Sequence, residues 1–238
     1  MRARKISSAS REPKHINALA FDAYGTLFDV FSVTALCEQL FPGTGHALAQ
    51  LWRAKQLQYS VWRSLMGRYE DFWRVTGDGL VYASKSLKLD LTAAKRTQLM
   101  DTYLNLTLFP DVKPGLEALK ELGFRLAILS NGAPTMLDLV IKNAGIDTLL
   151  DAVVSADDVH VFKPSPVVYR AVSERLEVQL HELAFVSSNA WDVSGAASAG
   201  LMAFWMQRAA GEPPEELGYA ATRVVTSLPE LAELLTRS

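Results

Sequence analysis

Asp22 closes the apolar run Ala18-Leu19-Ala20-Phe21 and is followed by Ala23-Tyr24-Gly25-Thr26-Leu27-Phe28. A carboxylate placed where a buried strand ends and the chain turns on a glycine lies at the edge where α/β sheets gather ligands. It can serve there as a nucleophile or as a metal ligand. Tyr24, two places on, narrows the chemistry. An ordinary phenol has a pKa of about 10, so it is a poor donor to an alkoxide at neutral pH. Asp22 without a neighbouring acid therefore suits a leaving group that departs without a proton, and halide ion is one.

Three further polar groups follow or lie near predicted strand ends. Ser130-Asn131-Gly132 follows Phe124-Arg125-Leu126-Ala127-Ile128-Leu129, and Ser187-Ser188-Asn189-Ala190-Trp191-Asp192 follows Leu183-Ala184-Phe185-Val186. Lys163 precedes Pro164. Singly, each has a bland explanation: a helix cap or turn for Ser130 to Gly132, a solvated loop for Lys163-Pro164. Parallel strands bring such ends together, and the shared position of all four groups favours one joint site.

The elements that must hold them read as alternating strands and helices. Ala152-Val153-Val154-Ser155 and Leu201-Met202-Ala203-Phe204-Trp205 add two strands. Helices are expected behind Pro114, after Pro134, and from Pro166 to Leu176. This alternation predicts an α/β fold with a Rossmann-like parallel sheet. Between Val30 and Leu108 a helical period takes over, with Leu51, Leu57, Val61, Leu65, Tyr69 and Phe72 near helical spacing, and the block reads as an inserted helical cap domain. The expected division is a core of residues 15–29 and 109–238, a cap of residues 30–108, and a flexible tail over residues 1–14.

The 238-residue chain has 49% apolar and 21% charged residues, which excludes disordered, collagenous and coiled-coil classes. A net charge of −2 argues against a nucleic-acid or membrane surface as partner and leaves small molecules as the default. The single cysteine, Cys37, allows no internal disulfide and no thiolate metal site, so a cytoplasmic location is expected. The first fifteen residues carry five Lys or Arg but no apolar run suited to a signal peptide. His15, His46, His160 and His181 lack ligand spacing. Asp157-Asp158 reads as a loop or helix cap, and Glu212-Pro213-Pro214-Glu215-Glu216 as a surface loop.

With these residues in view, the chain resembles the haloacid dehalogenase superfamily, and within it the L-2-haloacid dehalogenases, over nearly its whole length. The family pattern stands here as Asp22-Ala23-Tyr24-Gly25-Thr26-Leu27-Phe28-Asp29-Val30. Leu51-Trp52-Arg53-Ala54-Lys55-Gln56-Leu57 resembles the cap segment that bears the family's essential arginine. Ser130-Asn131-Gly132, Lys163-Pro164 with Tyr169, and the highly specific Ser187 to Asp192 run complete the series.

The resemblance implies hydrolysis of short L-2-haloalkanoic acids by attack of Asp22, an aspartyl ester, inversion at C2 and water attack on the ester. It implies Lys163 beside Asp22 in the place that a magnesium ion takes in related phosphatases, with no metal and no cofactor. Asp192 would orient water or pair with Lys163, and Tyr169 would support the lysine. Thr26, Ser187 and Asn189 would place nucleophile and water, and Ser130 and Asn131 would hold the substrate carboxylate. Arg53 would receive the developing halide or the substrate's charge. Tyr24, Leu57, Phe72 and Trp191 would wall an apolar pocket, with plain cap packing as the alternative for Leu57 and Phe72. Ala54, where some relatives carry a larger polar residue, could alter pocket shape. A homodimer is the family habit. The alternatives are a magnesium-dependent phosphatase of the same superfamily, disfavoured by Tyr24 and the missing second carboxylate, and a non-catalytic binding protein.

Overall fold

The computed structural model describes residues 16–215 and 217–236. The chain opens with strand β1 (Ala18–Phe21) and the short strand β2 (Phe28–Asp29). Helices α1 (Thr34–Leu40), α2 (Gly45–Leu65), α3 (Phe72–Ser86) and α4 (Ala93–Thr102) follow, then strand β3 (Thr107–Leu108). The remainder alternates: α5 (Val112–Glu121), β4 (Arg125–Ser130), α6 (Pro134–Ala144), β5 (Ala152–Ser155), α7 (Pro166–Leu176), β6 (Leu183–Ser187), α8 (Ala190–Ser198), β7 (Met202–Met206), β8 (Arg223–Val225) and α9 (Leu228–Thr236). The expected tail over residues 1–14 lies outside the described residues, as does His15.

Six strands form one parallel sheet in the order β5-β4-β1-β6-β7-β8. Strand order reverses about β1, and the crevice at such a reversal, outside the carboxyl ends, is where Asp22 stands. Side chains alternate between two layers, as the period of two requires. Leu19, Phe21, Leu126, Ile128 and Val186 pack with residues of α5, α6 and α9. Ala18, Ala20, Ala127, Leu129 and Phe185 pack on the opposite face with α7 and α8. With both faces covered, the central strands read as unbroken apolar runs.

The helical insert enters and leaves through an antiparallel ribbon, where Phe28 pairs with Leu108 and Asp29 with Thr107. The sequence gives no sign of this ribbon, because two-residue strands are too short to carry a period. The expected apolar stripe on the insert is also corrected. The buried face of α2 is Leu48, Ala49, Trp52, Arg53, Gln56 and Ser60, whereas Leu51, Leu57 and Val61 are only half-buried and Leu65 is 81% exposed. Tyr69 lies in the turn beyond α2. The cause is α3, whose Gly79 lies so close that an added Cβ would sit 3.2 Å from the Gln56 amide nitrogen. That approach lets Trp52 Nε1 donate to the Thr76 carbonyl at 2.8 Å, so polar groups that satisfy one another take the buried face. Ala54 is exposed and plays no part in the pocket described below.

Helix α5 starts at Val112, before the expected opening behind Pro114. The proline sits in the first turn, where a missing N–H is tolerated. Among the described residues no helix is long and apolar enough to cross a membrane.

Helices α5 and α9 meet at Gly115, where an added methyl would collide with Leu228 Cβ and lie 2.9 Å from that residue's carbonyl carbon. Gly115→Ala is therefore expected to destabilise the core by about 1–3 kcal/mol through overpacking, outweighing alanine's better helix propensity. Urea denaturation of the two proteins measures it, and an unchanged or raised midpoint contradicts this packing.

Candidate active site

Strands β4, β1 and β6 lie side by side, so Ser130, Asp22 and Ser187 stand together at their carboxyl ends. The Asp22 amide still donates to the Val186 carbonyl at 2.9 Å, which fixes the start of its loop. Lys163 enters from the loop before α7, its own N–H donating to Asn131 Oδ1 at 2.9 Å.

At the centre is the Lys163 ammonium, 1% exposed, which donates to Asp22 Oδ1 at 3.1 Å and to Asp192 Oδ2 at 2.9 Å. Asp192 is fully buried, and it also accepts from Tyr169 at 2.6 Å on Oδ1 and from Ser187 at 3.1 Å on Oδ2. Burial pushes the Asp192 carboxyl up, to about 6, against the opposing pull of Lys163 and Tyr169. Burial alone would depress the Lys163 ammonium, but the attraction of Asp192 and Asp22 outweighs it and raises its pKa. Tyr169 therefore supports the lysine through Asp192 rather than by touching it.

The second Asp22 oxygen, Oδ2, accepts from Thr26 Oγ1 at 3.0 Å and from Asn189 Nδ2 at 2.8 Å. Two residues outside the sequence expectation brace this turn. The Ser188 amide donates to Thr26 Oγ1 at 2.8 Å, and the Ser188 hydroxyl donates to the Gly25 carbonyl at 2.7 Å. Gly25 has φ +97°, a conformation that suits glycine. Arg208 donates to the Thr26 carbonyl from Nε at 3.1 Å and Nη2 at 2.7 Å, and its Nη1 donates to Asp111 at 2.7 Å. Arg208 lies two residues beyond the end of β7, so the strand-end rule that singled out the other groups could have found it.

The helical insert contributes Arg53, whose Nη2 donates to the Tyr24 carbonyl at 3.0 Å and whose Nη1 donates to Gln56 Oε1 at 2.7 Å. Gln56 was also missed, although it lies three residues along the same helical face. Arg53, Leu57, Asn189 and Trp191 line a pocket of about 490 Å³. Tyr24 and Phe72, expected to wall it, are not among its lining residues; both are buried, with their rings 5.8 Å apart. The Tyr24 hydroxyl finds no hydrogen-bond partner among the described residues, and burial pushes its pKa further up, away from use as an acid. Ser130 Oγ accepts from the Gly132 amide at 3.0 Å, leaving its own proton free to be directed at a bound anion. Asp157 accepts from the Tyr69 hydroxyl and so ties the insert to the sheet domain.

A magnesium ion does not fit these residues. It asks for an octahedron of oxygens, whereas Asp22 and Asp192 are the two carboxylates here and both already bind an ammonium. No group of three or more His, Cys, Asp or Glu among the described residues could hold a metal.

A family model described as haloacid dehalogenase-like hydrolase matches residues 16–200. The chain is 44% identical over 220 residues to the (S)-2-haloacid dehalogenase of Pseudomonas sp. (strain YL), covering 92% of this chain and 94% of that one. Among solved structures, one L-2-haloacid dehalogenase superposes with a TM-score of 0.91 at 43% identity, covering 93% of this chain and 99% of its own. The L-2-haloacid dehalogenase of Xanthobacter autotrophicus with chloropropionic acid covalently bound gives 0.88 at 40% identity, covering 93% and 98%.

Replacing Lys163 leaves two buried carboxylates facing each other. Lys163→Met is expected to cost about 3–5 kcal/mol at pH 8, the usual scale for breaking a buried pair. The Asp192 carboxyl, already raised by burial, rises further without the cation, so the stability it contributes is retained at low pH and lost as pH rises toward its folded-state pKa. Thermal unfolding at pH 5 and pH 8 tests this. A deficit that is equal at both values, or larger at pH 5, contradicts the charge balance described.

Proposed function

Since the chain belongs to the haloacid dehalogenase-like hydrolases, and within them to the L-2-haloacid dehalogenases, we propose that it hydrolyses short (S)-2-haloalkanoic acids to (R)-2-hydroxy acids and halide. The observation that carries this reading is the Lys163 ammonium bonded to both Asp22 and Asp192. It sets a fixed cation against Asp22, and the raised pKa of that cation makes it a poor proton donor to a leaving group.

In the first step an Asp22 carboxylate oxygen attacks C2 from the side opposite the halogen. The C–O bond forms as the carbon–halogen bond breaks, halide leaves with the bonding pair, and the configuration inverts. Thr26 and Asn189 hold the carboxylate in line. The Ser130 hydroxyl and the Asn131 loop at the start of α6 receive the substrate carboxylate, with Leu57 and Trp191 beside the alkyl group. Arg53 stabilises the charge that gathers on the halogen, a role suited to a permanently charged guanidinium.

In the second step water attacks the ester carbonyl of Asp22. Asp192 takes one water proton. As the tetrahedral centre collapses, the bond from the Asp22 carbonyl carbon to the substrate oxygen breaks, and the departing alkoxide takes that proton from Asp192 to leave as the hydroxy acid. The second water proton passes to solvent as Asp22 returns to a carboxylate. Ser187 and Asn189 hold the water. No metal enters either step, in keeping with the misfit of magnesium to these residues.

We also read the protein as a cytoplasmic homodimer. The half-exposed Trp62 and Tyr82 and the exposed Leu65 and Met66 on the helical insert support the second copy.

Halide release from the separated enantiomers of 2-chloropropionate, with chelator present, tests class, stereochemistry and metal use together. Turnover of the (S) form alone, unaffected by exhaustive chelation, is expected. Loss of turnover on chelation that magnesium restores, or preference for the (R) form, contradicts the reading.

A further inference from the structure

Arg53 is held by a chain of hydrogen bonds whose sense is fixed from one end. The Thr76 hydroxyl, fully buried on α3, donates to the Phe72 carbonyl one turn back at 2.6 Å. With its proton committed, the Thr76 oxygen can only accept, and Gln56 Nε2 lies 2.7 Å away. The Gln56 amide, itself fully buried, therefore keeps its nitrogen toward Thr76 and its oxygen toward Arg53 Nη1 at 2.7 Å. The guanidinium is gripped on the other side by the Tyr24 carbonyl at 3.0 Å. Both acceptors are neutral. They fix the direction of the guanidinium without cancelling its charge, which a carboxylate in place of Gln56 would do.

We propose that Gln56 and Thr76 are positioning residues for carbon–halogen cleavage: Thr76 locks the Gln56 amide, and the locked amide sets Arg53 in place before halide departs. The proposal rests on Arg53 stabilising the leaving halide, as read above. Its physical content is preorganisation, because a stabilising charge held in advance needs no rearrangement during the reaction. Thr76→Val keeps the shape but removes the acceptor. The buried Gln56 NH2 is then left without its acceptor, and the amide that holds Arg53 is no longer fixed at its far end.

The test is kcat/KM, which covers the steps through halide release, for (S)-2-chloropropionate and (S)-2-bromopropionate. Thr76→Val is expected to lose roughly tenfold to a hundredfold on the chloro acid, the scale of a slightly misplaced catalytic group. The loss on the bromo acid should be smaller, since bromide spreads its charge more widely. Thr76→Ser, which restores the hydroxyl, should recover most of the activity. Gln56→Met removes the acceptor by a different change and should show the same dependence on the halogen.

A poorly folded variant loses activity equally on both substrates, so equal losses overturn the proposal, as does an unchanged kcat/KM in Thr76→Val and Gln56→Met. Arg53→Lys separates the two readings. If it loses activity while the Thr76 and Gln56 variants do not, Arg53 keeps its role and the positioning chain is wrong. If Arg53→Lys keeps its activity on both acids, the reading of Arg53 fails and the positioning chain falls with it.

Discussion

A charged ammonium with almost no exposure must be balanced by charge at bonding distance, and everything around Lys163 follows from that demand. One cation bonds both carboxylates, their other oxygens are held by hydrogen-bond donors, and the Arg53 guanidinium lies close enough to feel both charges. Tyr169 and Ser187 serve Asp192, while Thr26 and Asn189 serve Asp22. The parallel sheet meets this demand geometrically. Three adjacent strands deliver Asp22, Ser130 and Ser187 to one edge, and the Ser187 loop carries Asn189 and Asp192 into reach. The positive charge beside the nucleophile is thus part of the fold.

The helical insert completes the site by a different logic. Its contribution, Arg53, is tied to the nucleophile loop by a bond to the Tyr24 carbonyl, so the position of the insert and the shape of that loop are coupled. A second tie joins the insert to the lysine loop. Ser64 Oγ accepts from the Phe162 amide at 3.0 Å, Tyr69 stacks on Phe162 with centroids 4.8 Å apart, and the Tyr69 hydroxyl bonds to Asp157. The insert is therefore bonded separately to the two loops that carry Asp22 and Lys163.

Much of this was legible in the sequence because strand ends are. The β1 and β6 runs and the β4 run from Leu126 to Leu129 are apolar and each stops at a polar residue, so topology alone brings those residues together. What stayed hidden shares a cause. Gln56 and Thr76 are polar residues on buried helix faces, and a pattern that counts apolar residues assigns such positions to solvent. Likewise the helical spacing of Leu51, Leu57, Val61 and Leu65 does not mark the buried face of α2, where Trp52 and Gln56 meet α3 at Gly79. The ribbon of β2 and β3 escaped for want of length. Arg208 sits after a strand end like the others, but its partner is the Thr26 carbonyl, and backbone acceptors leave no mark in a sequence.

The central claim is that Asp22 itself bonds to carbon rather than activating water for direct attack. Both routes invert C2 and release halide, so products alone do not distinguish them. A single turnover in ¹⁸O-labelled water, followed by mass analysis of the Asp22 peptide and of the hydroxy acid, does. Covalent attack predicts heavy oxygen in the Asp22 carboxylate and an unlabelled hydroxyl in the product, because water enters at the ester carbonyl. Heavy oxygen in the first-turnover hydroxy acid, with none in the Asp22 peptide, contradicts the account.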